Sequence, residues 1–218
     1  MAAVAVGCLI GVMRNNVAGL LRLMLVTDDA LVAGRDLLEL ARAAERGGIS
    51  SLQLRLKHAP ARDQVALART LVAALSVPVL VNDRPDVALA AGAAGVHLGP
   101  GDLPAHLTRR IVPASFVIGV SVGSPDEALT ADAADYWGVG PWRATGTKAD
   151  AGDALGADGF AAIVRLGAGR PCVAIGGLRP TDVPLVRAAG GAGVAVVSGI
   201  LGGNDVEAAA RRFAAAER

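Results

Sequence analysis

The sequence predicts one domain folded as an eight-stranded parallel (β/α)8 barrel. Three observations predict it. Short runs rich in Val, Ile and Leu alternate about eight times with Ala/Leu/Arg-rich segments of helical period, the pattern of βα units in a parallel sheet. Several of those runs are apolar throughout, as strands buried on both faces must be. The chain has 218 residues, and no linker or low-complexity tract divides it; a barrel of this kind holds together as one domain up to ~250 residues. An open doubly wound sheet is the alternative. It would need fewer strands and usually a GxGxxG turn after the first, which is absent.

The elements follow in order. MAAVAVGCLIGVM at the start is apolar, but no Lys or Arg precedes its apolar stretch as a secretory leader requires. It is also shorter than the ~20 apolar residues of a membrane helix. Residues 1–19 therefore read as an N-terminal extension, disordered or helical, ahead of a barrel domain at 20–218. The first strand is LRLMLVT (21–27). The helix DLLELARAAERGG follows, with Asp36 in its first turn and a stop at Gly47-Gly48. Strands two to seven are SLQLR (51–55), VPVLVN (77–82), GVHL (95–98), FVIGVS (116–121), YWGVG (136–140) and PCVAIG (171–176). PTDVPLVRAAGG is a helix that begins at Pro180, with Thr181 and Asp182 as capping candidates, and ends at Gly190-Gly191. VAVVS (194–198) is the last strand.

Composition excludes several functions. Net charge is +1 with 19% charged residues, so the chain carries no electrostatic footprint for nucleic acid and no polybasic membrane patch. Cys8 and Cys172 are far apart and form no CxxC motif, which fits a reducing cytoplasm. Cys172 lies within an apolar run and reads as a core thiol.

In a barrel, chemistry belongs at the C-terminal ends of the strands. Those ends carry Thr27, Arg55, Lys57, Asn82, Asp83, the segment from His97 to Asp102, Ser121, the run from Thr145 to Lys148, Gly176-Gly177 and Ser198-Gly199. Helix caps and turns ask for Asp, Asn and Gly but not for Arg and two Lys, so the ring favours a phosphate-rich ligand. In QLRLK (53–57) the strand period turns Gln53, Arg55 and Lys57 to one side, and cations held inside need anionic partners. Asp83 in NDRPD (82–86) and Asp102 in HLGPGDLP (97–104) are two carboxylates on adjacent strands, a set that suits Mg2+. Asp83 is equally readable as a helix cap. IGGL (175–178) and VVSGI (196–200) close the last two strands, where barrels commonly bind phosphate. Of three histidines, only His97 sits at a strand end, and it reads as a packing or supporting residue rather than a base.

These motifs resemble thiamine phosphate synthases. Q-x-R-x-K at 53–57, N-D at 82–83, GVHLGPGDLP at 95–104, GVSVGS at 119–124, GPWRATGTK at 140–148, AIGGL at 174–178 and AVVSGI at 195–200 occur in that family's order and spacing. The resemblance covers residues 20–215 and implies a TIM-barrel transferase. Its reaction joins hydroxymethylpyrimidine diphosphate to a thiazole phosphate, with pyrophosphate leaving first and the thiazole nitrogen capturing a pyrimidine carbocation. It also implies that Asp83 and Asp102 hold Mg2+. Gln53, Arg55, Lys57, Asn82, Ser121 and Lys148 would hold the pyrimidine diphosphate, with Arg55, Lys57, Ser121 and Lys148 serving catalysis. Thr145, Thr147, Gly176, Gly177, Val197 and Ser198 would line the thiazole phosphate site. A homo-oligomer is compatible with all of this; nucleic acid and membrane partners are not expected.

The chain departs from the family at Leu56, where Glu is usual, at Ala144, where Pro is usual, and at Pro100-Gly101, where Gln-Glu is common. ADAGDALG after Lys148 is also unusual. Two alternatives stand beside the synthase. Thiazole tautomerase, an isomerase on a similar barrel, uses a histidine where this chain has Gly123 and lacks the T-x-T-K loop. A non-catalytic barrel that binds thiamine phosphates would need neither the carboxylate pair nor the leaving-group cations.

Overall fold

In the computed structural model, which describes residues 16–144 and 152–217, the strands close into one parallel barrel in sequential order. The eight strands are β1 (Leu23–Val26), β2 (Ser51–Leu54), β3 (Val79–Asn82), β4 (Gly95–Leu98), β5 (Val117–Val122), β6 (Tyr136–Val139), β7 (Cys172–Ile175) and β8 (Gly193–Val196). Closure is made by β8 pairing with β1, Leu23 opposite Val194. Each expected strand is present, and several are shorter than their apolar runs. Thr27, Arg55 and Ser198, which end their runs, lie just past the strands, whereas Asn82 and Ser121 remain in the ladder.

Two apolar layers hold the barrel. The outer one lies between strands and helices and includes Leu25, Leu52, Val81, Val96, Ile118, Trp137 and Ala174. The inner one fills the barrel with Met24, Val26, Leu80, Val117, Tyr136, Val173 and Ala195. This split is why the strands read as continuously apolar. Cys172 is buried, and burial pushes its thiol up to about 11, so it is inert at neutral pH.

A short helix, α1 (Val17–Leu20), plugs the bottom of the barrel. Its Leu20 carbonyl accepts from the Ser50 and Ser51 hydroxyls at 2.9 and 2.7 Å. The sequence boundary at residue 20 falls at the end of this helix. Next come α2 (Asp29–Val32) and α3 (Leu37–Arg46). Asp36 is the N-cap of α3 rather than part of its first turn, accepting from the Leu38 and Glu39 N–H groups. The outer ring continues with α4 (Ala61–Ala74), α5 (Pro85–Ala91), α6 (Ala105–Ile111), α7 (Pro125–Leu129) and α8 (Gly156–Leu166). A 3-10 turn at Pro180–Asp182 precedes α9 (Val183–Ala188), so the expected helix starts later than Pro180. Thr181 makes no cap there; Asp182 instead accepts from the Arg179 N–H. The chain ends with α10 (Ser198–Leu201) and α11 (Val206–Ala215). Among the described residues no helix is long and apolar enough to cross a membrane.

Candidate active site

A cavity of about 580 Å3 opens at the C-terminal ends of the strands. Gln53, Arg55, Lys57, Asn82, Asp83, Asp102, Ser121, Gly176, Gly177 and Val197 all line it, so residues spread over six strand ends face one space. Ser198 follows Val197 as the first residue of α10 and is not itself in the lining. Thr145, Thr147 and Lys148 lie outside the described residues.

The cationic side is organised by carboxylates that strand-end reading passed over. Thr27 joins the ends of β1 and β2: its hydroxyl accepts from the Arg55 N–H at 2.7 Å and donates to the Arg55 carbonyl at 3.0 Å. Asp28, the N-cap of α2, holds Arg55 Nη1 at 3.2 Å, with both side chains only 16–17% exposed. This pairing fixes one edge of the guanidinium. Asp29 accepts from the Lys57 and His58 N–H groups at 2.9 and 3.3 Å. Burial raises its pKa, but those N–H groups and the nearby His58 outweigh burial and hold it below the usual range. The signal was an Asp-Asp pair directly after Thr27.

Asp83 is not a helix cap. The helix begins two residues later at Pro85, with Arg84 at its N-cap position and no side-chain cap. Asp83 instead centres a tight turn closed by the Arg84 N–H on the Asn82 carbonyl at 2.8 Å, with φ at +65°. A three-residue turn with positive φ is rare and strained for a non-glycine residue. The Asp83 carboxylate lies 3.7 Å from Lys57 Nζ and close enough to Asp102 to oppose its ionisation.

Asp102 feels that proximity. Burial first, then the hydrogen bond to Asp83, pushes its pKa up to about 6, against the lowering effect of the Gly99 N–H at 2.6 Å and of Lys57. Each carboxylate makes ionisation of the other more costly, and a bound cation would relieve that repulsion. An all-oxygen pair fits Mg2+, which binds one or two carboxylates and takes its other ligands from water and substrate phosphates. Among the described residues, no third His, Cys, Asp or Glu completes a metal cage with them.

A stability test follows. A carboxylate with a folded pKa above its unfolded value holds its proton more tightly when folded. Its ionisation therefore destabilises the fold as pH rises from about 4 to about 6. Discounted for partial exposure, the cost at neutral pH is on the order of 1 kcal/mol. In EDTA at pH 7, Asp102→Asn should therefore be more stable than the parent by about that amount, and the gain should vanish by pH 4. Urea denaturation at both pH values reads this; equal stability at pH 7 would remove the assigned shift.

The opposite wall is built from β4 to β7. His97 lies between the Ser121 hydroxyl and the Tyr136 phenol. Glu127 reaches the cavity and accepts from the Gly123 N–H at 2.5 Å. The chain leaving β6 is pinned to the chain leaving β7. Trp142 and Arg143 donate their N–H groups to the Ile175 and Gly176 carbonyls at 2.8 and 3.0 Å. Arg143 also forms a two-pronged ion pair with fully buried Asp182. Burial raises the Asp182 pKa, but Arg143 and the Arg179 N–H outweigh it and keep the group ionised. Gly176 and Gly177 have φ of +99° and +64°, and a Cβ at either would lie within 3.0 Å of Pro141 or Arg143. The diglycine thus lets two loops pack together, turning backbone into the cavity.

Among the departures, Leu56 is partly buried against the outer core, and its carbonyl accepts from Gln64 at 3.0 Å. Pro100 and Gly101 line the cavity, whereas Ala144 is exposed.

The family described as "Thiamine monophosphate synthase" matches residues 23–200. The thiamine-phosphate synthase of Moorella thermoacetica is 46% identical over 196 residues, covering 88% of this chain and 93% of that one. That of Xanthobacter autotrophicus is 49% identical over 201 residues, covering 90% and 95%. The solved structure of thiamine phosphate pyrophosphorylase from Pyrococcus furiosus superimposes with a TM-score of 0.82 at 35% identity, over 92% of this chain and 97% of that one. A 3-hexulose-6-phosphate synthase at 20% identity, with a TM-score of 0.67, shares the fold alone.

Proposed function

We propose a mechanism from one premise: the chain belongs to the thiamine monophosphate synthase family and is a transferase that forms thiamine phosphate. Its substrates on this reading are hydroxymethylpyrimidine diphosphate and a thiazole phosphate. The observation that carries the residue assignment is that Arg55, Lys57, Asp83 and Asp102 line one cavity, with Lys57 Nζ 3.7 Å from Asp83.

In this mechanism the carbon–oxygen bond to the diphosphate breaks first, and negative charge accumulates on the departing pyrophosphate. Arg55, oriented by Asp28, and Lys57, beside Asp83, bind that diphosphate and oppose its growing charge. Groups placed in advance stabilise the transition state more than the ground state, because the charge they face grows during the step. Asp83 and Asp102 would hold Mg2+, which would supply further neutralisation of the diphosphate's charge. Gln53 and Asn82 offer amides toward the pyrimidine substrate, and Ser121 a hydroxyl. Gly176, Gly177, Val197 and Ser198 offer backbone and hydroxyl donors to the thiazole's phosphate, with Thr145 and Thr147 from the segment after β6. The thiazole nitrogen then attacks the pyrimidine cation, which closes the new bond and leaves pyrophosphate as product.

The direct test is incubation with both phosphorylated substrates and Mg2+, scored by mass for thiamine phosphate. Tautomerase activity is a separate expectation. Gly123 has no proton-transfer group, and a positioned acid–base residue typically contributes ~10²–10⁴-fold. The thiazole phosphate incubated alone with the protein should interconvert at close to the buffer rate, and enzyme-like isomerisation would reverse the order of the two activities.

A further inference from the structure

We infer that His97 and Tyr136 are positioning residues for Ser121, fixing the direction of its proton so that the serine meets the substrate as a hydrogen-bond donor. This rests on the proposed contact between Ser121 and the pyrimidine substrate.

The argument begins with strand register. Gly119 on β5 is opposite His97 on β4 and Tyr136 on β6, and Ser121 is opposite Gly138. Neither glycine brings a side chain into the barrel. A Cβ on Gly119 would lie 2.1 Å from the Tyr136 ring, and one on Gly138 would lie 2.8 Å from the His97 ring. The two bare positions let Tyr136 cross β5 to reach His97. The result is a line of three polar groups: Tyr136 Oη to His97 Nδ1 at 3.0 Å, then His97 Nε2 to Ser121 Oγ at 3.1 Å. Tyr136 is fully buried, His97 is 8% exposed, and Ser121 lines the cavity.

Counting protons orients the line. Burial, with Asp135 nearby, raises the Tyr136 pKa far above its ordinary value, so the phenol keeps its hydrogen. Among the described residues the partner of that hydroxyl is His97 Nδ1. If Nδ1 carried a proton, the phenol hydrogen would be buried without an acceptor, which costs roughly 1–3 kcal/mol. Nδ1 therefore accepts from Tyr136, and the imidazole proton sits on Nε2. Nε2–H then donates to Ser121 Oγ, whose own hydrogen is left to point into the cavity. With the opposite tautomer Ser121 would donate to the histidine and turn lone pairs toward the substrate, repelling a phosphate oxygen.

The test has a spectroscopic and a kinetic arm, both on the full chain. Protein labelled with 15N-histidine is examined by two-dimensional 1H–15N NMR, with His97 assigned as the signal set missing from His97→Gln. The expected spectrum shows Nε2 protonated and Nδ1 bare; a proton on Nδ1 overturns the inference whatever the activity. In kinetics, His97→Leu should lower kcat by ~10–100-fold, the range seen for residues that orient metal ligands through a second hydrogen bond. His97→Gln, which keeps a donor toward Ser121, should restore most of it. In a Ser121→Ala background, His97→Leu should change kcat little. A loss as large in that background as in the parent means that His97 acts by packing, and the inference falls. Failure of the parent to form thiamine phosphate counts against the proposed function instead, and the spectrum still decides the tautomer.

Discussion

Replacing Lys148 by alanine should lower kcat by ~10²–10³-fold, the usual loss for one preorganised electrostatic contact to a charge that develops in the transition state. Lys148 ends the GPWRATGTK run and lies outside the described residues, so the expectation rests on the motif and on how the loop sets out. The last described residues before it are fastened to the β7 end by the Trp142 and Arg143 backbone bonds and by the Arg143–Asp182 ion pair. The loop therefore starts from a fixed point beside the cavity. If Lys148 binds the departing pyrophosphate, its contact strengthens as the bond breaks, and its loss appears in kcat. Ser198 offers a contrast. Assigned to the thiazole's phosphate, whose charge does not change, it contributes nearly uniform binding, and Ser198→Ala should mainly raise KM for that substrate. Steady-state kinetics with each substrate varied in turn separates the two. A Lys148→Ala enzyme altered only in thiazole KM would move the whole loop to the second substrate.

Much of this site was readable in the sequence because a barrel converts strand ends into one ring. Gln53, Arg55 and Lys57 needed only strand period and an interior to face, and all three line the cavity. What escaped was contact between strands. Tyr136 opens an apolar run and looks like any core aromatic; only register with Gly119 and His97 carries its hydroxyl toward Ser121. Asp182 was readable as a capping residue, and it does accept from the Arg179 N–H at the 3-10 turn. What stayed hidden was its second partner, Arg143, 39 residues away in sequence. Asp28 and Asp29 were hidden by a similar ambiguity: each caps or braces backbone locally, and only the fold reveals that Asp28 also grips Arg55. Pairwise electrostatics between distant loops leaves no periodic trace, whereas burial does.

Asp83 should show the other large effect, and its turn allows two roles to be separated. The carboxylate is assigned to Mg2+, and the backbone sits at φ +65°. Asp83→Ala removes the carboxylate and leaves a residue that tolerates this backbone poorly, at a cost of roughly 1–2 kcal/mol for an L-residue in the left-handed region. Asp83→Gly removes the same carboxylate and relieves the strain. Both variants should lose ~10²–10³-fold in kcat/KM at limiting Mg2+ if the carboxylate helps stabilise the leaving charge. Both should also need more Mg2+ to reach half-maximal rate. They should differ in stability, with glycine more stable than alanine by about 1 kcal/mol in urea denaturation. The parent protein should be inactive in EDTA and recover when Mg2+ is added in excess. Full turnover in EDTA would remove the metal assignment of Asp83 and Asp102. Activity that tracked stability, high in the glycine variant and low in the alanine variant, would reduce Asp83 to a device for bending the chain.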